Sequence, residues 1–254
     1  MRIIYTVTME RQEDVGLPAG IEAAWGRRRR PTKGPKPGLS LEGIVEAGVG
    51  IAGEDGLAGV SMARVAARLG TSTMALYRYV AGKDELLALM VDAAVGRPPL
   101  AAGPDEGWRA GLTRWAWRYH DRMREHPWAV QVPITGAPIT PNQVAWMEAV
   151  LWSLRNTPLS EDEKASVLLL LSGYVRSEAT LTAELAAAGA ISDEFMAGYA
   201  RLLATLTSAG DFPAIQTLLA AGVFDKADPP EKEFSFGLER ILDGVEALVN
   251  RRRL

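Results

Sequence analysis

The chain has 254 residues, 48% of them apolar, with a formal charge of −3, no cysteine and two histidines, His120 and His126. This suits a soluble protein of one large domain, or a small domain joined to a larger one, and it excludes disulfides, thiolate zinc centres, cysteine nucleophiles and histidine-rich metal sites. No apolar run approaches the roughly 20 residues that cross a bilayer, and Arg11, Glu13 and Asp14 leave no signal-peptide core, so a cytoplasmic protein without metal or cofactor is expected.

The charge is unevenly spread. Residues 1–97 hold 13 Lys/Arg against 11 Asp/Glu, whereas residues 98–254 hold 15 against 20. A basic front on an acidic body points to an anionic partner held at one end.

Residues 1–24 show no clear period. Residues 25–38, containing Arg27, Arg28, Arg29, Arg30, Lys33 and Lys36, are broken by three prolines and three glycines and read as an extended basic arm. Ser40 caps a first helix whose apolar positions Leu41, Ile44, Val45, Val49 and Ala52 repeat at helical spacing, ending near Gly53–Gly56. Ser61 caps a second, with Met62, Val65, Ala66 and Leu69 as its buried face and Gly70 as its stop. A third, of about two turns, starts at Thr71 or Ser72. Gly82-Lys83-Asp84 opens a fourth, with Leu86, Leu87, Leu89, Met90 and Val91 apolar, closed by Gly96-Arg97-Pro98-Pro99.

After a linker at 98–107, a long helix is expected over about 105–125, stopped by His126-Pro127. Thr140-Pro141-Asn142-Gln143 and Ser160-Glu161-Asp162-Glu163 read as capping boxes. The first opens a helix to about residue 156, the second one of about 27 residues ending by Gly189. Further helices follow Ser192, span about 212–221 and run from about 233 to 251. No alternating segment argues for a strand, so the fold is all-α: a basic arm at 1–38, a three-helix head with its fourth helix at 39–97, and a larger helical domain at 98–254.

Residues 61–79 meet the demands of a helix-turn-helix: small Ala66 where the helices cross, Gly70 for the turn, Leu76 inward, and polar groups at the start of the second helix where base edges are reached. A plain helical hairpin would meet some of these. The wider run Val60-Ser61-Met62-Ala63-Arg64-Val65-Ala66-Ala67-Arg68-Leu69-Gly70, then Leu76-Tyr77-Arg78-Tyr79-Val80 and Lys83-Asp84-Glu85-Leu86-Leu87, resembles the tetracycline-repressor (TetR) family over about residues 40–95. The tryptophan-rich following helix, the Arg124-Glu125-His126-Pro127-Trp128 run and the long late helix resemble that family's C-terminal domain.

The resemblance implies a homodimeric DNA-binding regulator, most often a repressor of a palindromic operator released by a small molecule. By position in the motif, Thr73, Met74 and Tyr77, with Ser72 beside them, fall on the DNA-facing side of the recognition helix. Thr73 suits a base edge and Met74 a thymine methyl. Ser61, Tyr77, Tyr79 and Lys83 suit phosphates, and Arg64 either target. Tyr79 stands where family members often carry histidine. The basic arm is either a solvated tail or a phosphate-tracking, minor-groove element, and its place beside the head favours the second.

Trp108, Trp115, Trp117, Trp128, Trp146 and Trp152 crowd into 45 residues. They either fill a core or wall an apolar or aromatic effector's cavity, with Trp115, Tyr119, Met123, Trp128, Trp146, Met147, Val150, Trp152 and Arg176 as lining candidates. The family's tetracycline binders use a histidine where this chain has Val95-Gly96-Arg97-Pro98-Pro99, which argues against tetracycline itself. His126 matches a helix-end histidine of the family and equally suits a helix cap. The helices at about 160–188 and 233–251 are apolar on more than one face, as a four-helix dimer interface would require. Absence of a Gly-x-Ser-x-Gly elbow, phosphate loop or dinucleotide fingerprint argues against an enzyme. The alternatives are a small-molecule-binding helical protein and a transcriptional activator.

Overall fold

The computed structural model describes residues 17–27, 39–100, 103, 105–207 and 210–253. Among them are eleven α-helices and no strand. They divide into two compact units: one runs to Ala93 and takes in Pro138–Pro141, and the other comprises Ala94–Ala137 and the chain from Asn142 onward. Arg28, Arg29 and Arg30 lie outside the described residues.

The first unit begins with α1 (Ala19–Ala24), in a stretch where the sequence shows no period. Six residues are too few to display one, and so short a helix needs tertiary support. Glu85 provides it, its Oε1 accepting from the Gly20 and Ile21 N–H groups at 2.9 and 3.0 Å. The Ile21 side chain is buried.

Helix α2 (Leu41–Asp55) is capped by Ser40, whose Oγ accepts from Gly43 N. It buries Ile44, Val45, Ile51 and Ala52. A Cβ at Gly48 would lie 2.7 Å from Met90 Sδ, so this glycine lets α2 meet α5 (Lys83–Val95) closely. Helices α3 (Met62–Arg68) and α4 (Thr73–Leu76) pack through Val65, Ala66 and Leu76. Between them Gly70 adopts φ +62°, while Thr71 N bonds back to Ala66 O and Gly70 N to Ala67 O. That is the paired reverse bonding by which a left-handed residue stops a helix. Helix α4 is one turn long, half the expected length. Tyr79 N and Val80 N both bond to Leu76 O, which draws the chain into a tight turn before α5.

The second unit is built on α6 (Trp108–Glu125), a 3-10 turn (Pro127–Gln131), α7 (Pro141–Leu154), α8 (Glu161–Ala187), α9 (Asp193–Leu206), α10 (Pro213–Ala220) and α11 (Pro230–Arg251). The first residue of α7, Pro141, belongs to the first unit. Helix α8 is central, touching α6, the 3-10 turn and α11. Ser160 and Glu163 form the expected reciprocal capping box on α8. The Thr140 box does not form on its threonine, because Thr140 is buried and its Oγ1 has no partner. Helix α11 starts earlier than its apolar pattern suggests, with Pro230 in its first turn, where a missing N–H costs nothing. Leu112, Val150, Leu154, Leu171, Val175, Phe234, Leu238 and Leu242 make the core.

Gly70→Ala is expected to lower stability by about 1–2 kcal/mol, since a Cβ is strained at this φ. Urea unfolding should show a lower midpoint with an unchanged slope.

Candidate nucleic-acid interface and effector site

Two serines set the reading face. Ser61 Oγ accepts from Arg64 N at 3.2 Å and starts α3, and Ser72 Oγ accepts from Ala75 N at 3.3 Å and starts α4. Each hydroxyl keeps its own proton as a donor for a phosphate oxygen. Past Ser72, Thr73 is half-buried while Met74 and Tyr77 are 73% and 49% exposed. An exposed methionine one residue inside a helix start has no role in the local core, whereas Leu76 of the same turn is fully buried. Lys83 is exposed at the first residue of α5.

Three other candidates are engaged within the unit. The Arg64 guanidinium pairs with Asp55 and donates to Gly59 O. The Tyr79 hydroxyl donates to Leu39 O at 2.9 Å. Both therefore brace the head, which the residue types alone do not reveal. Arg27 lies 6.0 Å over the ring of Trp25. Sequence reasoning misses Glu85, whose Oε2 also accepts from Ala81 N just after the recognition turn. Its only signal is a carboxylate in the first turn of α5.

In the second unit the aromatic residues mostly fill space. Trp115, Tyr119 and Trp146 form one cluster, with ring centroids 5.0–5.6 Å apart. Their ring nitrogens find carbonyls: Trp115 Nε1 donates to Trp146 O and Trp146 Nε1 to Gly96 O, each at 2.8 Å. Met123, Trp128 and Val150 are buried and Met147 is half-buried. Burial pushes the Tyr119 phenol up, while the Arg176 charge pulls it the other way. Trp152 lies on the outside, 52% exposed beneath the Arg155 guanidinium. On α7 the buried stripe is Trp146, Val150 and Leu154, and a residue two positions from a stripe member falls on the opposite side.

An open surface groove of about 500 Å³ along α8 is lined by Gly173, Arg176, Ser177, Thr180, Leu181 and Glu184. Of the nine residues read as cavity lining, Arg176 is on its wall. Arg176 Nη2 also donates to Val130 O and Val132 O, at 2.9 and 2.7 Å, fixing the end of the 3-10 turn. The wall is more polar than the aromatic density suggests.

Residues 44–90 match the family profile described as bacterial regulatory proteins, tetR family, and residues 100–249 match that of the tetracyclin repressor-like C-terminal domain. The chain belongs to the TetR family. It is 41% identical over 240 residues to the HTH-type transcriptional repressor DrrR1 of Streptomyces coeruleorubidus, covering 92% of this chain and 87% of that protein. Among solved structures it resembles apo ActR of Streptomyces coelicolor, with 26% identity, a TM-score of 0.72, and coverage of 85% of this chain and 99% of that one. ActR in complex with actinorhodin gives the same identity and TM-score over 83% and 98%. As a TetR-family protein the chain is a transcription regulator with a helix-turn-helix head, and its relatives are regulators, not enzymes. Among the described residues no helix is long and apolar enough to cross a membrane.

The core of this regulator also holds an acid-sensitive group. His120 is buried and stacked on Phe234 at 4.1 Å, with its Nδ1 unpartnered. Burial pushes its imidazole down, and Arg124 adds to this while Asp121 and Glu231 oppose it. His126 is lowered too, again mainly by burial. A histidine lowered in the folded state contributes stability above its ordinary value of about 6.5 that is lost as pH falls below it. His120→Phe keeps the stack and removes the titration. Its melting temperature should therefore fall less than the wild type's between about pH 7.5 and pH 5.5. Identical falls would refute the assignment.

Proposed function

We propose that this regulator is a homodimeric cytoplasmic repressor that reads a palindromic operator with α4 and is released by a small molecule. The observation carrying the reading is the face formed by exposed Ser72, Met74 and Tyr77 with half-buried Thr73 among them, on a helix start that Leu76 and Gly70 hold in place. Thr73 and Met74 meet base edges, while Ser61, Tyr77 and Lys83 meet phosphates. The basic arm, Arg27 to Arg30, adds sequence-independent contacts in the adjoining minor groove or along the phosphates.

Dimerisation through α8 and α11 is supported by their uncovered apolar surface. Leu169, Leu170 and Phe236 are all more than half exposed. A groove of about 370 Å³ lined by Val167, Leu170, Ile241, Val245 and Leu248, among others, lies between the two helices. It has the form that a partner's ridge of side chains fills. Two heads fixed in one dimer then set the spacing of operator half-sites.

The effector reading combines an apolar body with polar groups that meet Arg176, Ser177 and Thr180 in the α8 groove. Actinorhodin, bound by the structural relative ActR, is the first probe to use. Near-complete release requires roughly 5.5 kcal/mol of differential binding between the two states.

The decisive experiment titrates the protein onto DNA upstream of its own gene at several salt concentrations. Sequence-specific retardation is expected, and its absence there and across a genomic fragment library would overturn the reading. Thr73→Ala should relax sequence choice, whereas Lys83→Ala should weaken all sites alike and reduce the salt slope by about 1. Leu170→Glu, which puts a charge in the interface, should raise the dimer dissociation constant at least ~30-fold in sedimentation experiments.

A further inference from the structure

Helix α2 ends on two carboxylates. Glu54 and Asp55 occupy its last turn, which holds no basic residue. Negative charge is disfavoured there, because the free carbonyls of a helix C-terminus already carry partial negative charge. The counter-charges come from α3. Asp55 pairs with the Arg64 guanidinium and Glu54 with that of Arg68. Arg64 and Arg68 are four residues apart, so they lie on one face of α3.

The backbone leaves room for both pairs. A Cβ on Gly59 would lie 2.7 Å from Asp55 Cβ and 2.9 Å from Arg64 Nη1, and a Cβ on Gly50 would lie 2.9 Å from Arg68 Nη1. Arg64 Nη1 also donates to Gly59 O at 3.1 Å.

Helix α3 is the first helix of the helix-turn-helix, the one that crosses the DNA backbone in such motifs. Its cap, Ser61, lies one turn before Arg64 and is among the phosphate donors of the repressor reading. Arg64 and Arg68 are the charged residues of α3, yet each is neutralised from α2. Both pairs face solvent, with side-chain exposures of 50% and 46% for Arg64 and Asp55, and of 36% and 58% for Arg68 and Glu54. Such a pair contributes little to stability. A phosphate offers a guanidinium the same paired oxygens as a carboxylate, so the two compete for the same donors.

We propose that Asp55 and Glu54 are intramolecular competitors for DNA phosphate: they occupy the guanidiniums of Arg64 and Arg68 in the free protein and so hold down its sequence-independent affinity for DNA. With both pairs intact, α3 brings no net charge to the duplex, and fewer counterions are released on binding. This rests on the DNA-binding reading above and deepens it.

Binding of the full-length protein to a short duplex of scrambled sequence, followed by fluorescence anisotropy at several salt concentrations, tests the competition. Asp55→Asn and Glu54→Gln should each tighten binding about fivefold at low salt and steepen the salt slope by about 1, the scale of one exposed ion pair and one added phosphate contact. The gain from Asp55→Asn should vanish in an Arg64→Gln background, and the gain from Glu54→Gln in an Arg68→Gln background. A gain that survives loss of the arginine comes from the general field of the removed charge and overturns the proposal. Unchanged or weaker binding by the carboxylate variants, or no binding by any form, overturns it too. Because Arg64 also holds Gly59 O, melting temperatures are compared alongside, and if Asp55→Asn lowers its own, the Glu54–Arg68 pair decides. The scrambled duplex needs no operator. Sequence-specific retardation therefore decides the repressor reading by itself, and either result can fail while the other stands.

Discussion

The burial of Leu76 is the contact on which the reading head depends. A helix of four residues cannot hold itself together, because nucleation costs more than one turn of hydrogen bonds returns. Helix α4 exists because Leu76 is buried where α4 packs on α3, because Ser72 Oγ caps it by accepting from Ala75 N, and because Gly70 sets the angle at which the chain leaves α3. With one residue buried per turn, the remaining positions are free to face outward. That is why Met74 and Tyr77 stand exposed while the helix stays fixed. A longer helix with a broader apolar stripe would be steadier and would have fewer side chains to offer.

What the sequence made legible follows from the same physics. Ser40, Ser61, Ser160 and Gly70 each act locally, so their residue type and spacing were sufficient to place them, whereas the sequence left the start of α4 open between Thr71 and Ser72, and Ser72 is the cap. Helix α1 was not legible, since its support comes from Glu85, 64 and 65 positions away in sequence. The same holds for Tyr79, which looks like a phosphate ligand by position but whose hydroxyl meets Leu39 O. Thr140 shows the converse. Its capping pattern is good, yet burial leaves its hydroxyl unpartnered, so tertiary packing overrode a local preference.

The tryptophans give a sharper version of this point. Their density alone was compatible with a cavity wall or a filled core, and composition could not choose between them. The ring nitrogens do. Trp115 and Trp146 each spend their N–H on a backbone carbonyl, and the acceptor of Trp146 is Gly96, just beyond the last turn of α5. Arg122 takes the neighbouring Val95 carbonyl. Rings held in this way are anchors: they fix where α5 ends inside the second unit. A separate, open groove runs along α8, bordered by Gly173, Ser177 and Thr180.

Helix α8 carries two faces along its length. Val167, Leu171, Val175 and Ala179 face the core, whereas Leu169, Leu170, Gly173 and Ser177 are exposed on the other side, with Arg176 and Thr180 half-buried beside them. Val167 belongs to the core and also borders the groove against α11. The consequence is mechanical. A helix that is core on one face and apolar surface on the other cannot shift for one without being felt by the other, since close-packed interiors transmit displacement instead of absorbing it. Arg176 is where that displacement leaves the helix within the unit, through two carbonyls, Val130 O and Val132 O, at the end of the 3-10 turn.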